Sequence, residues 1–264
     1  MDFKKLNGVV LHYQDLGPAE RRTLVFANSL GTDFRIWNEV VARLADSFRI
    51  VLYDKRGHGL SEIGASPYRI ADHVADLAAL LDDLAVENAV VCGLSVGGLI
   101  AQGLYAGRPD LVAGLILCDT AHKIGDEPLW NERIAAIEKG GIAAIAEAIL
   151  ERWFSRNLRE NDPAALAGWR AMLTRTPLAG YLGTCAAIRD ADFTEEAKKI
   201  EVPTLCVVGA EDGATPPALM RETADLIPGC GYEIVAGAGH LPCIEQPAVL
   251  AASIVTFVEE NGLG

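Results

Sequence analysis

The sequence predicts an α/β fold: an open, mostly parallel sheet with helices on both faces and a helical segment inserted late in the chain. Three observations predict it. Short apolar, β-rich runs alternate with longer amphipathic stretches, the pattern of strands that helices cover on both sides. The alternation lapses between Asp126 and Lys199, where only helical patterns occur. Half of the 264 residues are hydrophobic and 22% are charged, a balance that supports a substantial core.

The elements follow in order. "GVVLHYQDLG" (8–17) reads as a strand entering a hairpin, and "TLVFAN" (23–28) as a buried strand followed by a helix over Arg35–Ala45. "RIVLYD" (49–54) is the next strand, and Ile70–Leu84 carries leucines and alanines at helical spacing. "NAVVCG" (88–93), a helix over Val96–Ala106 and "GLILCD" (114–119) continue the alternation. "WNERIAAIEKGGIAAIAEAILERWF" (130–154) and "PAALAGWRAMLTRT" (163–176) are helical, with Trp130, Trp153 and Trp169 expected to pack among those helices. "PTLCVVG" (203–209), a helix over Pro217–Leu226, "GYEIVAG" (231–237) and a final helix complete the chain. The expected organisation is a core in two parts, residues 1–124 and 200–264, with a helical cap over 125–199.

Composition excludes several roles. The net charge of −13, with no basic stripe, disfavours binding to a phosphate backbone. The same charge weakly repels anions, so an anionic substrate needs cations within its pocket. The N-terminal "MDFKKLNG" has no apolar stretch of signal-peptide length. The longest uncharged run, Ala89–Gly107, is broken by four glycines and carries Ser95 and Gln102, so no membrane span is expected. Six cysteines form no C-x-x-C pair, and the expectation is reduced thiols in a cytoplasmic protein.

Ser95 lies in Gly93-Leu94-Ser95-Val96-Gly97, between the strand ending in "AVVC" and the helix beginning "GLIAQG". Strand, sharp turn and helix form the context in which a G-x-S-x-G serves as a nucleophile elbow. Glycines on either side fit a turn too tight for neighbouring Cβ atoms. A serine hydroxyl needs an imidazole to take its proton, and the imidazole needs a carboxylate to fix its tautomer. Of the two histidines downstream of Ser95, His240 in "VAGAGHLPCIEQP" sits in a loop after the last strand, whereas His122 follows an earlier strand beside the inserted helices. Asp212 in "CVVGAEDGATPP" precedes His240 by one strand-helix-strand step and is the favoured acid; Asp119 is its rival.

Acyl transfer also needs donors for an oxyanion. The N–H of Val96, at the start of a helix, is one candidate. The N–H of Leu30, in the loop after "TLVFAN", is the other, with Asn28 and Ser29 positioning that loop or touching substrate. "YDKRGHGLS" (53–61) lacks the Lys-Ser/Thr ending of a phosphate loop and reads as a structured connection beside the site; His58 and His73 read as structural.

The segments "VFANSLGTDFRIWNEV", "YDKRGHGLS", "CGLSVGGLIAQGLYAGRPDLV", "LILCDTAHKIG", "WNERIAAIEKGG", "GAEDGATPP" and "AGAGHLPCIEQP" resemble the α/β-hydrolase superfamily over nearly the whole chain. Within it they resemble the 3-oxoadipate enol-lactonases, chiefly through Asn28-Ser29-Leu30-Gly31, "LCDTAHKIG" and "WNERI". That resemblance implies hydrolysis of an enol-lactone to 3-oxoadipate in aromatic acid catabolism. It implies Ser95 as nucleophile, His240 as base and then acid, Asp212 as orienting acid, and Leu30 and Val96 as the oxyanion hole, with no metal or cofactor. The substrate it implies is a small molecule bearing a carboxylate, for which Lys123 and Arg133 are candidate cations and Trp130 an apolar wall. A general carboxylesterase or a perhydrolase on the same triad is the alternative, and a non-catalytic small-molecule receptor a third reading. A dehalogenase is disfavoured, since that chemistry uses a carboxylate nucleophile. A monomer and a homodimer are equally compatible with the sequence.

Overall fold

In the computed structural model, which describes residues 1–264, eight strands form one sheet. They are β1 (Asp2–Leu6), β2 (Val9–Leu16), β3 (Thr23–Ala27), β4 (Arg49–Tyr53), β5 (Ala89–Leu94), β6 (Val112–Cys118), β7 (Thr204–Gly209) and β8 (Gly231–Val235). The order across the sheet is β1-β2-β4-β3-β5-β6-β7-β8. β1, β2 and β4 pair antiparallel, and every pairing from β4 through β8 is parallel. β3, β4, β5 and β7 are buried at every position, which is why they read as unbroken apolar runs.

Helices α1 (Asn38–Leu44), α2 (Ile70–Asp83), α3 (Val96–Gly107), α10 (Pro217–Leu226) and α12 (Pro247–Glu260) cover the sheet; α1 packs against α12, and α2 against α3. The strand β1 is a finding that the apolar runs do not reveal. Four of its five residues, "DFKKL", are exposed, and a charged edge strand has no buried face to leave a hydrophobic signature.

Between β6 and β7 the chain forms only helices: α4 (Glu127–Gly140), α5 (Ala146–Trp153), α6 (Arg156–Asn161), α7 (Pro163–Thr174), α8 (Leu178–Arg189) and α9 (Thr194–Ala197), with one 3-10 turn. Asp126 and Asp162 begin α4 and α7, each accepting a hydrogen bond from the N–H three residues on, the standard way of satisfying a first-turn donor. A short helix, α11 (Pro242–Glu245), precedes α12. No helix is long and apolar enough to cross a membrane, and all six cysteines are free thiols.

Because β3 through β8 run parallel, the loops leaving their carboxyl ends gather along one edge, where such sheets build their sites. The loop after β4 is anchored from below. Arg56 Nε and its terminal nitrogen each donate to Asp76 on α2 at 2.6 Å, and Asn7 Nδ2 adds a third bond at 2.8 Å. The paired side chains are only 8% and 1% exposed, so removing the acid leaves a buried guanidinium without a counter-charge. Asp76→Ala is expected to lower unfolding free energy by about 3–5 kcal/mol, measured by urea denaturation. A loss below about 1 kcal/mol would show that the pair contributes little.

Candidate active site

Ser95 occupies the turn between β5 and α3 with φ 59° and ψ −119°, a strained conformation for a residue with a side chain. Its N–H donates to the Cys118 carbonyl at 3.0 Å, and its own carbonyl accepts from Gly98 N at 2.8 Å and from Thr120 Oγ1 at 2.6 Å. Contact forces the flanking glycines. A Cβ on Gly93 would lie 2.3 Å from the Gly97 carbonyl oxygen, and one on Gly97 would lie 2.1 Å from the Ala27 carbonyl oxygen.

His240 lies in the loop after β8, with Nδ1 2.9 Å from Asp212 Oδ2 in the loop after β7. Asp212 also accepts from Ala214 N at 2.7 Å, Thr215 N at 3.1 Å and Thr215 Oγ1 at 2.7 Å. Burial pushes its carboxyl upward, but the charge and hydrogen bond of His240 and the Ala214 and Thr215 donors outweigh it. The net shift is below the usual carboxylate range, so the ionised form is favoured.

Asp119 makes no hydrogen bond to His240. It directly follows β6, fully buried with φ 43°; Oδ1 accepts from Gly209 N at 2.8 Å and Oδ2 has no donor. Burial first, then the charge of Asp212, holds it well above the usual range. Two adjacent carboxyls are thereby driven apart, Asp212 toward ionisation and Asp119 toward retaining its proton. Asp119, Asp212 and His240 are also the one group of potential metal ligands, with atoms within 4.8 Å of one another. Nδ1 and Oδ2 of that group are already hydrogen-bonded to each other.

A cavity of about 90 Å³ opens onto Ser95 and His240, well below the roughly 300–1,000 Å³ of sites for drug-sized ligands. Ser29, Leu30, Trp130 and Arg133 line it, as do Arg152, Thr215 and the apolar Ile124, Leu129, Ile149, Trp153 and Ile188. A larger cleft of about 650 Å³, bordered by His12, Phe34 and Trp169, does not include Ser95. The Leu30 N–H has no acceptor in the protein, and the Val96 N–H is in the first turn of α3, where helix donors lack intrahelical partners.

Arg133 projects from α4 over the Trp130 ring, 5.0 Å from its centroid, and donates to the Tyr181 hydroxyl at 2.7 Å. No carboxylate pairs with it, and its Nε is buried without a partner. Lys123, the other candidate cation, is not brought to the cavity. It is half exposed and paired with Asp192 at 2.9 Å, because the chain leaving β6 carries it outward to the acidic turn before α9. Asn28 is buried behind the cavity wall, where Nδ2 donates to the Thr32 carbonyl at 2.5 Å; it fastens the loop and does not line the cavity.

Several contributors escaped sequence reasoning. The backbone leaving α5 supports the loops of both His240 and Asp212: Trp153 O accepts from His240 N at 2.8 Å, and Arg152 O accepts from Gly213 N at 3.1 Å. Glu245 on α11 accepts from Gly239 N at 2.7 Å and from Ser155 N at 3.1 Å, tying the histidine loop to the inserted helices. Nothing in "CIEQP" marks that acid, since its partners lie 6 and 90 residues away.

Residues 24–253 match the Alpha/beta hydrolase family. The chain belongs to that family. Of its relatives, the 3-oxoadipate enol-lactonase 2 of Acinetobacter baylyi is 34% identical, the alignment covering 90% of this chain and 89% of that one. Among solved structures, the enol-lactonase from Burkholderia xenovorans LB400 superposes with a TM-score of 0.94 at 37% identity, covering 98% of this chain and all of that one. A thermophilic esterase from Thermogutta terrifontis, solved with malate bound, gives 0.90 at 27% identity, with 98% and 99% covered. This α/β hydrolase is therefore an enzyme of the serine hydrolase class.

The two carboxyls separate by substitution. Asp212→Asn should lower kcat by about 10³–10⁴-fold, because the histidine loses its orienting charge. Asp119→Asn, which keeps an acceptor for Gly209 N, should change kcat by less than about tenfold. Steady-state hydrolysis of a p-nitrophenyl ester reads both, and the reverse ranking would make Asp119 the triad acid.

Proposed function

We propose that the protein hydrolyses 3-oxoadipate enol-lactone, or a close carboxylate-bearing lactone, through a Ser95-His240-Asp212 triad and an acyl-enzyme. The observation that carries this reading is Arg133: a guanidinium without a carboxylate partner, in the small cavity that also holds Ser95 and His240. An unpaired cation is expensive to keep out of water unless a ligand supplies the counter-charge. The lactone supplies one.

Asp212 holds Nδ1–H, leaving Nε2 of His240 as the base. Ser95 Oγ attacks the lactone carbonyl while Nε2 takes its proton. The resulting oxyanion accepts hydrogen bonds from the N–H groups of Leu30 and Val96. Collapse breaks the ring C–O bond, and the imidazolium returns its proton to the departing enolate. Water, deprotonated by the same Nε2, then attacks the acyl-enzyme, Ser95 leaves reprotonated, and the released enol tautomerises to the ketone. Arg133 binds the free carboxylate throughout, with Trp130 as its apolar wall, and Arg152 stands as a second cation at the cavity. The helices of residues 125–199 act as a cap whose interior selects substrate. The kinship with a malate-bound esterase supports a pocket for small acids, and a general carboxylesterase is the competing reading.

The test is to generate the enol-lactone enzymatically and follow the loss of its ultraviolet absorbance. Ser95→Ala should abolish turnover, by about 10⁴-fold or more. Arg133→Ala should raise KM for the lactone by about tenfold to a hundredfold while leaving KM for p-nitrophenyl acetate nearly unchanged. Slow lactone turnover beside fast neutral-ester cleavage would favour the esterase. Equal effects on both substrates would remove Arg133 from carboxylate recognition.

A further inference from the structure

Lys55 is the side chain that the catalytic reading leaves unused and the fold leaves least explained. It follows β4 and is 1% exposed, a rare state for lysine. No carboxylate contacts its ammonium. Its partners are two backbone carbonyls of the loop after β3: Ser29 O at 2.5 Å and Asn28 O at 3.4 Å. Because β3 and β4 are parallel neighbours, the loops leaving them emerge side by side, and the lysine reaches across from one to the other.

The geometry of the peptide unit gives this contact its consequence. In a trans peptide the C=O and the following N–H point in opposite directions. The Ser29 carbonyl and the Leu30 N–H belong to one such unit. With the carbonyl held on Lys55, the N–H faces away from the ammonium, and it has no acceptor in the protein, while Ser29 and Leu30 both line the cavity of Ser95. Thr32 donates to the same carbonyl twice, from Oγ1 at 2.9 Å and from its backbone N–H at 3.4 Å, so with Lys55 the peptide is clamped by three donors. A cation on the oxygen also draws electron density from the amide, making its N–H a stronger donor.

We infer that Lys55 is a positioning residue for the oxyanion hole: it fixes and polarises the Ser29–Leu30 peptide so that the Leu30 N–H is presented to the developing oxyanion. This rests on the assignment of Ser95 and the Leu30 N–H in the proposed function. Burial lowers the lysine pKa to about 7, against the opposing pull of Asp54 and Asp33. Such a depression is the cost of desolvating a cation that meets only carbonyl dipoles, and it is borne at the loop that needs the dipole aligned.

The experiment compares Lys55→Met, of similar length and without charge, with the parent enzyme on p-nitrophenyl acetate and with phenylboronic acid as a tetrahedral adduct former. A positioning role predicts a kcat lower by about tenfold to a hundredfold, less than the direct loss of an oxyanion donor, with KM within about twofold. Inhibition by the boronic acid should weaken by a similar factor, because its adduct oxygen uses the same N–H. Circular dichroism and thermal melting establish that the variant is folded. If it is not, Thr32→Val removes the hydroxyl donor from the same carbonyl and should lower kcat and boronate affinity together, severalfold. Unchanged kcat and boronate affinity in a folded Lys55→Met, or in Thr32→Val where that variant stands in, would overturn the inference while Ser95→Ala remained inactive. Retained turnover in Ser95→Ala would overturn the catalytic reading itself, and the Lys55 role with it.

Discussion

The strained turn at Ser95 is the constraint on which the rest of the structure depends. A serine with positive φ at a strand-to-helix junction persists only where its surroundings over-determine it. Here β6 supplies Cys118 O, the loop after it supplies Thr120 Oγ1, and α3 supplies Gly98 N. The helix can begin so abruptly because Gly97 lets its backbone meet Ala27 at the end of β3. Neighbouring strands therefore approach closely at this turn, and the fully buried β3 and β5 hold them there.

The protein keeps several ionisable side chains out of water, each in a distinct setting. Arg56 is matched by Asp76, and Asp54 is met by His12 Nδ1 at 2.7 Å and by the N–H groups of Phe34 and Leu60. Asp212 is satisfied by its histidine and three further donors. Burial and the neighbouring charge of Asp212 push the Asp119 carboxyl well above the usual range. Lys55 meets carbonyls alone. The Arg56–Asp76 pair anchors a loop to the scaffold, whereas Asp212, Asp119 and Lys55 lie in the loops that surround Ser95 and His240. That division fits a site in which fixed dipoles, rather than mobile water, stabilise developing charge.

The inserted helices are not a detachable cover. Backbone carbonyls of Arg152 and Trp153 accept from Gly213 and His240, next to the acid and at the base, and Glu245 binds Ser155 and Gly239 together. Variation in these helices can alter the cavity wall at Trp130, Arg133 and Ile188. The turn at residues 152–155 is far less free to change, since shifting it displaces His240.

Much of this was legible in the residues themselves. Buried parallel strands announce themselves as apolar runs, and glycines around a lone serine mark a turn that no Cβ can enter, so the order of elements and the turn at Ser95 were readable locally, with Asp119, Asp212 and His240 as candidates downstream of it. β1 was not, because an exposed edge strand has no buried face. The choice of Asp212 over Asp119 needed the fold, since both follow strands and only the positions of loops distant in sequence decide which carboxylate reaches Nδ1. The same holds for Lys123 and Arg133: sequence shows two cations beside the inserted helices, while packing sends one to Asp192 and leaves the other unpaired in the cavity. Sequence determines which segments are strand, turn or helix because those preferences are local. Which side chains meet is decided in the tertiary structure, because strand order and loop packing bring together residues that no short-range pattern connects.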